Sequence, residues 1–227
     1  MSRLQQGPSV RVADGEKDAV AVRMQKTGVR LCLSETVIAT GISYYYKFKE
    51  FGPVSSFSPL ECATACLFLA TKVCDETRKI RDILNCWKEA DGASFDKELT
   101  KEYYKLKERI VECEQVILRT FVFEVGTLHP FASFLNYCKS LGVRTETVQV
   151  GWSIIVDSYV FGVRKNYSVV SVAIAALYLA IRMVNDPSPV PEAWWTHLDD
   201  ESSSPSPVTR STDELVACCH ALLSMYD

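Results

Sequence analysis

Two charged side chains stand where the surrounding apolar pattern would not place them. Lys72 closes Cys62-Ala-Thr-Ala-Cys-Leu-Phe-Leu-Ala-Thr-Lys-Val73, the most apolar helical stretch in the first half of the chain. Glu114 interrupts Val111-Glu-Cys-Glu-Gln-Val-Ile-Leu-Arg-Thr-Phe-Val-Phe-Glu-Val125, a segment otherwise apolar at Val111, Ile117, Leu118 and Phe121. Either charge could carry a function, an ammonium as a hydrogen-bond donor and a carboxylate as an acceptor. The competing reading is structural: Lys72 snorkels to solvent and Glu114 lies on a wet helix face.

Catalytic chemistry has fewer footholds. The ten glycines are too widely spaced for a phosphate-cradling loop, and neither GxSxG nor HExxH occurs. The three histidines are scattered; His129, before Pro130, is expected to cap the next helix, and His220 to be structural. Nine cysteines, an odd number without a CxxC pair, read as reduced thiols filling gaps between helices. Cys62 and Cys66 are one helical turn apart and could supply two zinc ligands, but no second Cys/His pair accompanies them. No metal site and no cofactor are therefore expected. A Cys–His dyad assembled by tertiary contact stays open as an alternative.

The elements that must position these residues are helical and duplicated. Cys62–Val73 aligns with Val172–Met183 at an offset of 110, with Ala63, Ala65, Leu67, Leu69 and Ala70 matching Ala173, Ala175, Leu177, Leu179 and Ala180. Gly41 and Ser43 pair with Gly151 and Ser153 at the same offset. An alanine-rich helix apolar all round must be enclosed, so each half is expected to be a bundle around one buried central helix. Helices are expected at about Asp18–Leu31, Ser34–Phe51, Pro59–Val73, Lys79–Glu89 and Lys97–Phe121. A second set follows at about Pro130–Leu141, Thr145–Phe161, Ser168–Val184, Glu192–His197 and Thr212–Met225. Ser58-Pro-Leu-Glu61 and Ser211-Thr-Asp-Glu214 read as capping boxes. The fold class is all-α, two tandem five-helix bundles: a flexible lead-in at 1–17, one bundle at 18–126 and another at 127–227.

Composition agrees. The chain has 227 residues, 48% of them hydrophobic, and a net charge of −3 without a basic stripe, which argues against a nucleic-acid binder. The longest uncharged run, Asn166–Ile181, is shorter than the roughly 20 residues a membrane span needs. The N-terminus has no apolar signal core, so a soluble nuclear or cytoplasmic protein is expected.

Together these features resemble the cyclin fold: duplicated five-helix boxes, a central helix ending Leu-Ala-x-Lys-Val, and a fifth helix reading Glu-x-x-x-Leu-x-x-x-x-Phe-x-Val. The resemblance runs from about Val20 to Tyr226. His129-Pro130, Asp157-Ser158 and Trp194-Trp195 are similar to the transcription-type branch, cyclins T, K, L and Q. Gly28-Val-Arg-Leu, Ile80-Arg-Asp-Ile-Leu-Asn85 and Ile110-Val-Glu-Cys-Glu114 look most like cyclin Q.

The resemblance implies a non-catalytic subunit that docks on the C-helix of a cyclin-dependent serine/threonine kinase and holds it in the active position. It implies that Lys72 and Glu114 hydrogen-bond backbone groups beside that helix. Leu69, Val73, Leu118, Phe123 and Val125 match the apolar groove that receives it. The partner implied is cyclin-dependent kinase 10 or its counterpart, with a cyclin K- or L-type partner kinase as the alternative. A second class with the same double box is a general-transcription-factor-like repeat that grips DNA and protein. The chain departs from the family pattern in three places, one being that the substrate-docking patch that cell-cycle cyclins carry on the first helix is not recognisable. Cys74-Asp75-Glu76 follows the Lys-Val where the family usually has Glu-Glu, and Tyr46 stands where cell-cycle cyclins carry a buried aspartate. Proline-directed serines occur at Ser58, Ser188, Ser204 and Ser206; a partner kinase could phosphorylate Ser204 and Ser206, but the preferred reading of that pair is loop-forming Ser-Pro.

Overall fold

Ser58 starts the central helix of the first bundle as its sequence dictates. In a computed structural model of the chain, the Ser58 N–H donates to Glu61 Oε2 at 2.7 Å and the Glu61 N–H donates to Ser58 Oγ at 3.2 Å. Two backbone donors that the helix leaves unpaired are thereby satisfied reciprocally. Arg109 then locks the cap in place, donating to Glu61 Oε1 at 3.2 Å and to the Ser56 carbonyl at 2.6 Å.

The structure describes residues 18–89, 100–188, 194–197 and 212–226. The lead-in at 1–17, Ser204, Ser206 and the Ser211 cap lie outside them. The first bundle comprises α1 (Ala19–Arg30), α2 (Glu35–Phe51), α3 (Pro59–Val73), α4 (Ile80–Glu89) and α5 (Lys101–Thr120). The second comprises α6 (Pro130–Leu141), α7 (Thr145–Val160), α8 (Val169–Val184) and α9 (Thr212–Leu223). No strand occurs among the described residues. The helix expected at Glu192–His197 is instead a 3-10 turn, Trp194–His197, within the described residues. Its Trp194 is buried, so the indole is held by the core rather than by a helical face.

Helix α3 packs on α1, α2, α4 and α5, while α8 packs on α6, α7 and α9. Cys62 through Leu67 and Ala70 are buried in α3, as are Val172 through Leu177 and Ala180 in α8. The glycines that pair at the 110-residue offset have one job. A Cβ on Gly41 would lie 3.3 Å from Leu67 Cα, and a Cβ on Gly151 would lie 2.5 Å from the Phe134 ring. Each glycine lets a neighbouring helix come close.

The bundles meet along α2 and α7. The Tyr46 hydroxyl donates to the Val160 carbonyl at 3.0 Å across that seam. His129 sits at the N-cap position of α6 but does not cap it, contrary to expectation. Its Nε2 is 2.8 Å from Thr40 Oγ1 of α2, and its Nδ1 is 2.6 Å from the Tyr159 hydroxyl of α7. Thr40 already donates its proton to the Thr36 carbonyl. His129 must therefore donate from Nε2 and accept Tyr159 at Nδ1, a single neutral tautomer that satisfies all three groups. Burial, helped by the nearby Arg164 cation, pushes its pKa down to about 4.

Candidate partner-docking site

The inner stripe of α5 is Ile110, Cys113, Glu114 and Ile117, spaced for one helix face. Glu114 thus points inward and is only 6% exposed, so the wet-face reading is wrong for it. A carboxylate there needs a partner. It finds one in Lys72, whose Nζ pairs with Glu114 Oε1. Lys72 also lies 4.4 Å above the Phe68 ring and keeps part of its surface in solvent. The two charged residues singled out by sequence, 42 positions apart, are one ion pair at the junction of α3 and α5.

The apolar residues divide. Leu69 is only 4% exposed and belongs to the core, so it can supply a floor but no surface. Val73, the last residue of α3, is 39% exposed beside Lys72. Leu118, one turn beyond Glu114, and Val125 are half-buried against the core. Phe123 stands off the core at 68% exposure.

The turn after α5 explains that exposure. Val122 and Phe123 take φ of 53° and 60°, the left-handed region that disfavours side chains branched at Cβ. The Phe123 N–H donates to the Leu118 carbonyl at 2.8 Å and the Val122 N–H to Arg119 at 3.0 Å, closing the helix end. Further on, the buried Tyr44 hydroxyl of α2 donates to the Val125 carbonyl at 2.6 Å. The segment is pinned at both ends, and Val122, 82% exposed, projects with Phe123. The exposure of Val122 was not legible in the sequence, because no local propensity predicts two consecutive left-handed positions at Val and Phe.

The thiols offer no comparable site. Cys62, Cys66 and Cys113 are wholly buried, and burial raises the Cys66 pKa. The Cys113 contact lowers that of Cys62 while Cys113 itself is raised. Among the described residues no group of three or more His, Cys, Asp or Glu side chains could hold a metal ion. No described helix is long and apolar enough to cross a membrane.

With this geometry in place, comparisons with known proteins are informative. No family model matches the chain. It is 35% identical over 158 residues to cyclin pch1 of Schizosaccharomyces pombe, covering 68% of this chain and 46% of that protein. It is 32% identical over 152 residues to the CTD kinase subunit beta of the same organism, covering 64% and 45%. It is 29% identical over 209 residues to human cyclin-K, covering 88% and 34%. The chain spans about a third to a half of the length of these curated relatives. Among solved structures, it aligns with a chain of the yeast RNA polymerase II CTD kinase CTDK-1 complex at a TM-score of 0.71 and 16% identity, covering 92% of this chain and 64% of that one. A chain of the Chaetomium thermophilum CAK complex aligns at 0.56 and 18%, covering 76% and 52%. At such identities these likenesses speak for the fold.

Proposed function

Because the chain belongs to the transcription-type cyclins, we propose that it is the regulatory, non-catalytic subunit of a cyclin-dependent serine/threonine kinase acting in transcription. The observation that carries this reading is the Lys72–Glu114 pair, with the exposed Val73 next to Lys72 in the chain and the exposed Phe123 just past the end of α5. In this proposal residues 18–126 form the kinase-binding box. Lys72 turns its remaining donors, and Glu114 its second oxygen, toward backbone groups beside the kinase C-helix. Val73, Leu118, Phe123 and Val125 receive the helix over a floor that includes Leu69.

The mechanism is a shift of population. A kinase needs its strand lysine paired with the C-helix glutamate before ATP phosphates are correctly held. A subunit that binds the helix-in state better than the helix-out state activates by that difference alone. Moving the balance from mostly off to mostly on takes about 5.5 kcal/mol. Burying large apolar side chains such as Phe123, at about 1.5–3 kcal/mol each, together with charge-assisted hydrogen bonds, supplies an amount of that order.

The finer reading is that the partner is a cyclin-dependent kinase 10-like enzyme, with a cyclin K- or L-type partner kinase as the alternative. The relatives named CTD kinase subunit beta and cyclin-K support a transcriptional setting, and with it a nuclear place of action. Affinity purification of the tagged chain followed by mass spectrometry tests both levels. One cyclin-dependent kinase should be recovered in stoichiometric amount and lost with Phe123→Asp. Recovery of no kinase, or full retention by the folded variant, sinks the reading.

A further inference from the structure

Between the bundles, where the end of α2 meets the 3-10 turn Val163–Asn166 after α7, lies a cleft of about 230 Å³. Three cations line it, Lys47, Arg164 and Lys165, against one carboxylate, Glu50. This local excess of positive charge occurs in a chain whose net charge is −3. None of the three cations pairs with a carboxylate among the described residues. Lys47 Nζ stands 4.5 Å from the centre of the Phe121 ring, and Lys165 Nζ 5.2 Å from that of Tyr46. Arg164 donates to the carbonyls of Tyr167 at 2.9 Å and Leu128 at 3.3 Å and interacts with the Tyr159 hydroxyl, so it adds charge to the cleft while its guanidinium is held by the protein. Ammonium groups resting on aromatic faces keep their donors for something else.

We propose that this cleft binds a phosphate group carried by a phosphorylated serine or threonine of a partner protein. Three cations lining one cleft, two of them ammonium groups with donors to spare, suit a single dianion, which takes several charge-assisted hydrogen bonds at once. The size agrees: small-molecule and cofactor sites run to about 300–1,000 Å³, so this cleft suits a phosphorylated side chain better than a nucleotide. The setting favours a polypeptide. The exposed Phe51 lies at the rim. The segment from Phe121 to Leu128 begins at the ring under Lys47 and ends at the carbonyl held by Arg164, presenting Val122, Phe123 and Leu128 on the way. A peptide crossing here meets apolar side chains and then a basic cleft. A nucleic-acid backbone would instead call for a line of cations along an extended surface. The inference does not require that a kinase dock at α3 and α5, because it is tested on the chain alone.

The experiment is an NMR titration of the full chain at low salt with four probes: a short peptide bearing one phosphoserine, its unphosphorylated twin, inorganic phosphate and a short DNA duplex. The phosphopeptide should shift the amides of Tyr46, Lys47, Arg164 and Lys165 and bind about tenfold more tightly than the twin and than phosphate. Lys47→Ala with Lys165→Ala, both exposed positions, should weaken it about tenfold with no change in Tm. Binding by the twin equal to that of the phosphopeptide overturns the proposal, as do shifts confined to other regions, an unaffected double variant, or no binding. DNA binding tighter than the phosphopeptide assigns the cleft to nucleic acid, and phosphate binding as tight assigns it to a free anion. Either result also overturns the proposal.

Discussion

Glu76 and Asp186, 110 residues apart, perform the same act in the two bundles. Glu76 Oε2 accepts the Ser34 N–H at 3.1 Å at the start of α2, and Asp186 Oδ2 accepts the Arg144 N–H at 3.0 Å at the start of α7. Ser34 and Arg144 are themselves 110 apart, as are Asp75 and Asn185, which both turn the chain out of the central helix with positive φ. The duplication therefore includes the loops, and the acidic residue after each central helix ties that helix's end to the start of its neighbour. Glu76, one of the acids by which the chain departs from the family's Glu-Glu, works inside the fold.

Asp186 should matter more than Glu76. It also accepts the Thr147 hydroxyl and two bonds from Ser188. The Thr147 hydroxyl contributes most, followed by Ser188, to holding its carboxyl well below the ordinary carboxylate range. Its contribution is present above about pH 4 and is lost as pH falls further, because the unfolded chain then takes up a proton that the folded one refuses. Asp186→Asn should lower Tm at neutral pH, and the gap to the unmodified chain should narrow on acidification. Glu76→Ala should cost about 0.5–1 kcal/mol, the value of one capping bond. Equal losses from the two changes, measured by thermal unfolding, would contradict this ranking.

The His129 bridge predicts a separate pH dependence. The fold favours the neutral ring, with pKa about 4 against an ordinary value near 6.5. Stability is then full above about pH 6.5 and falls as pH drops toward 4, by an amount on the order of 3 kcal/mol. Urea unfolding from pH 7.5 to 4.5 should show this slope, and His129→Gln should flatten it. A slope that persists in the variant would place its origin elsewhere.

The Lys72–Glu114 pair calls for a double substitution. Lys72→Met alone leaves a buried carboxylate without its cation and should destabilise by about 1–3 kcal/mol, less than a fully buried pair because Lys72 is partly solvated. Lys72→Met with Glu114→Leu replaces the pair by apolar groups and should recover most of that loss. If the pair serves partner binding, the recovered variant still fails to capture the kinase. Restored stability together with restored capture would show that the pair is only structural.

The paired glycines should respond unequally to alanine. Replacing a helical glycine gains about 1 kcal/mol of helix propensity. At Gly41 a new Cβ would lie 3.1 Å from the end of the Leu67 side chain and 3.3 Å from its Cα, a crowding of a few tenths of an ångström that offsets the gain, so Gly41→Ala should be close to neutral. At Gly151 the buried Phe134 ring lies 2.5 Å away and must move, so Gly151→Ala should cost about 1–2 kcal/mol net. Chemical unfolding of both variants checks the difference.

The helices were legible because their information is local and repeated. The Ser58 capping box, the alanine-rich runs at 62–73 and 172–183, and the Gly41–Gly151 match fixed the central helices and their duplication, since burial on every face admits no other pattern. The sequence by itself also marked Lys72 and Glu114 as the odd charges. Only the tertiary structure decided that they meet, that Leu69 is buried and Phe123 exposed, and that His129 joins the bundles instead of capping a helix. These outcomes depend on how α2, α3, α5 and α7 cross. A left-handed pair at Val122 and Phe123 runs against local propensity, and it persists because helix-end bonds and the Tyr44 anchor hold the segment from both sides.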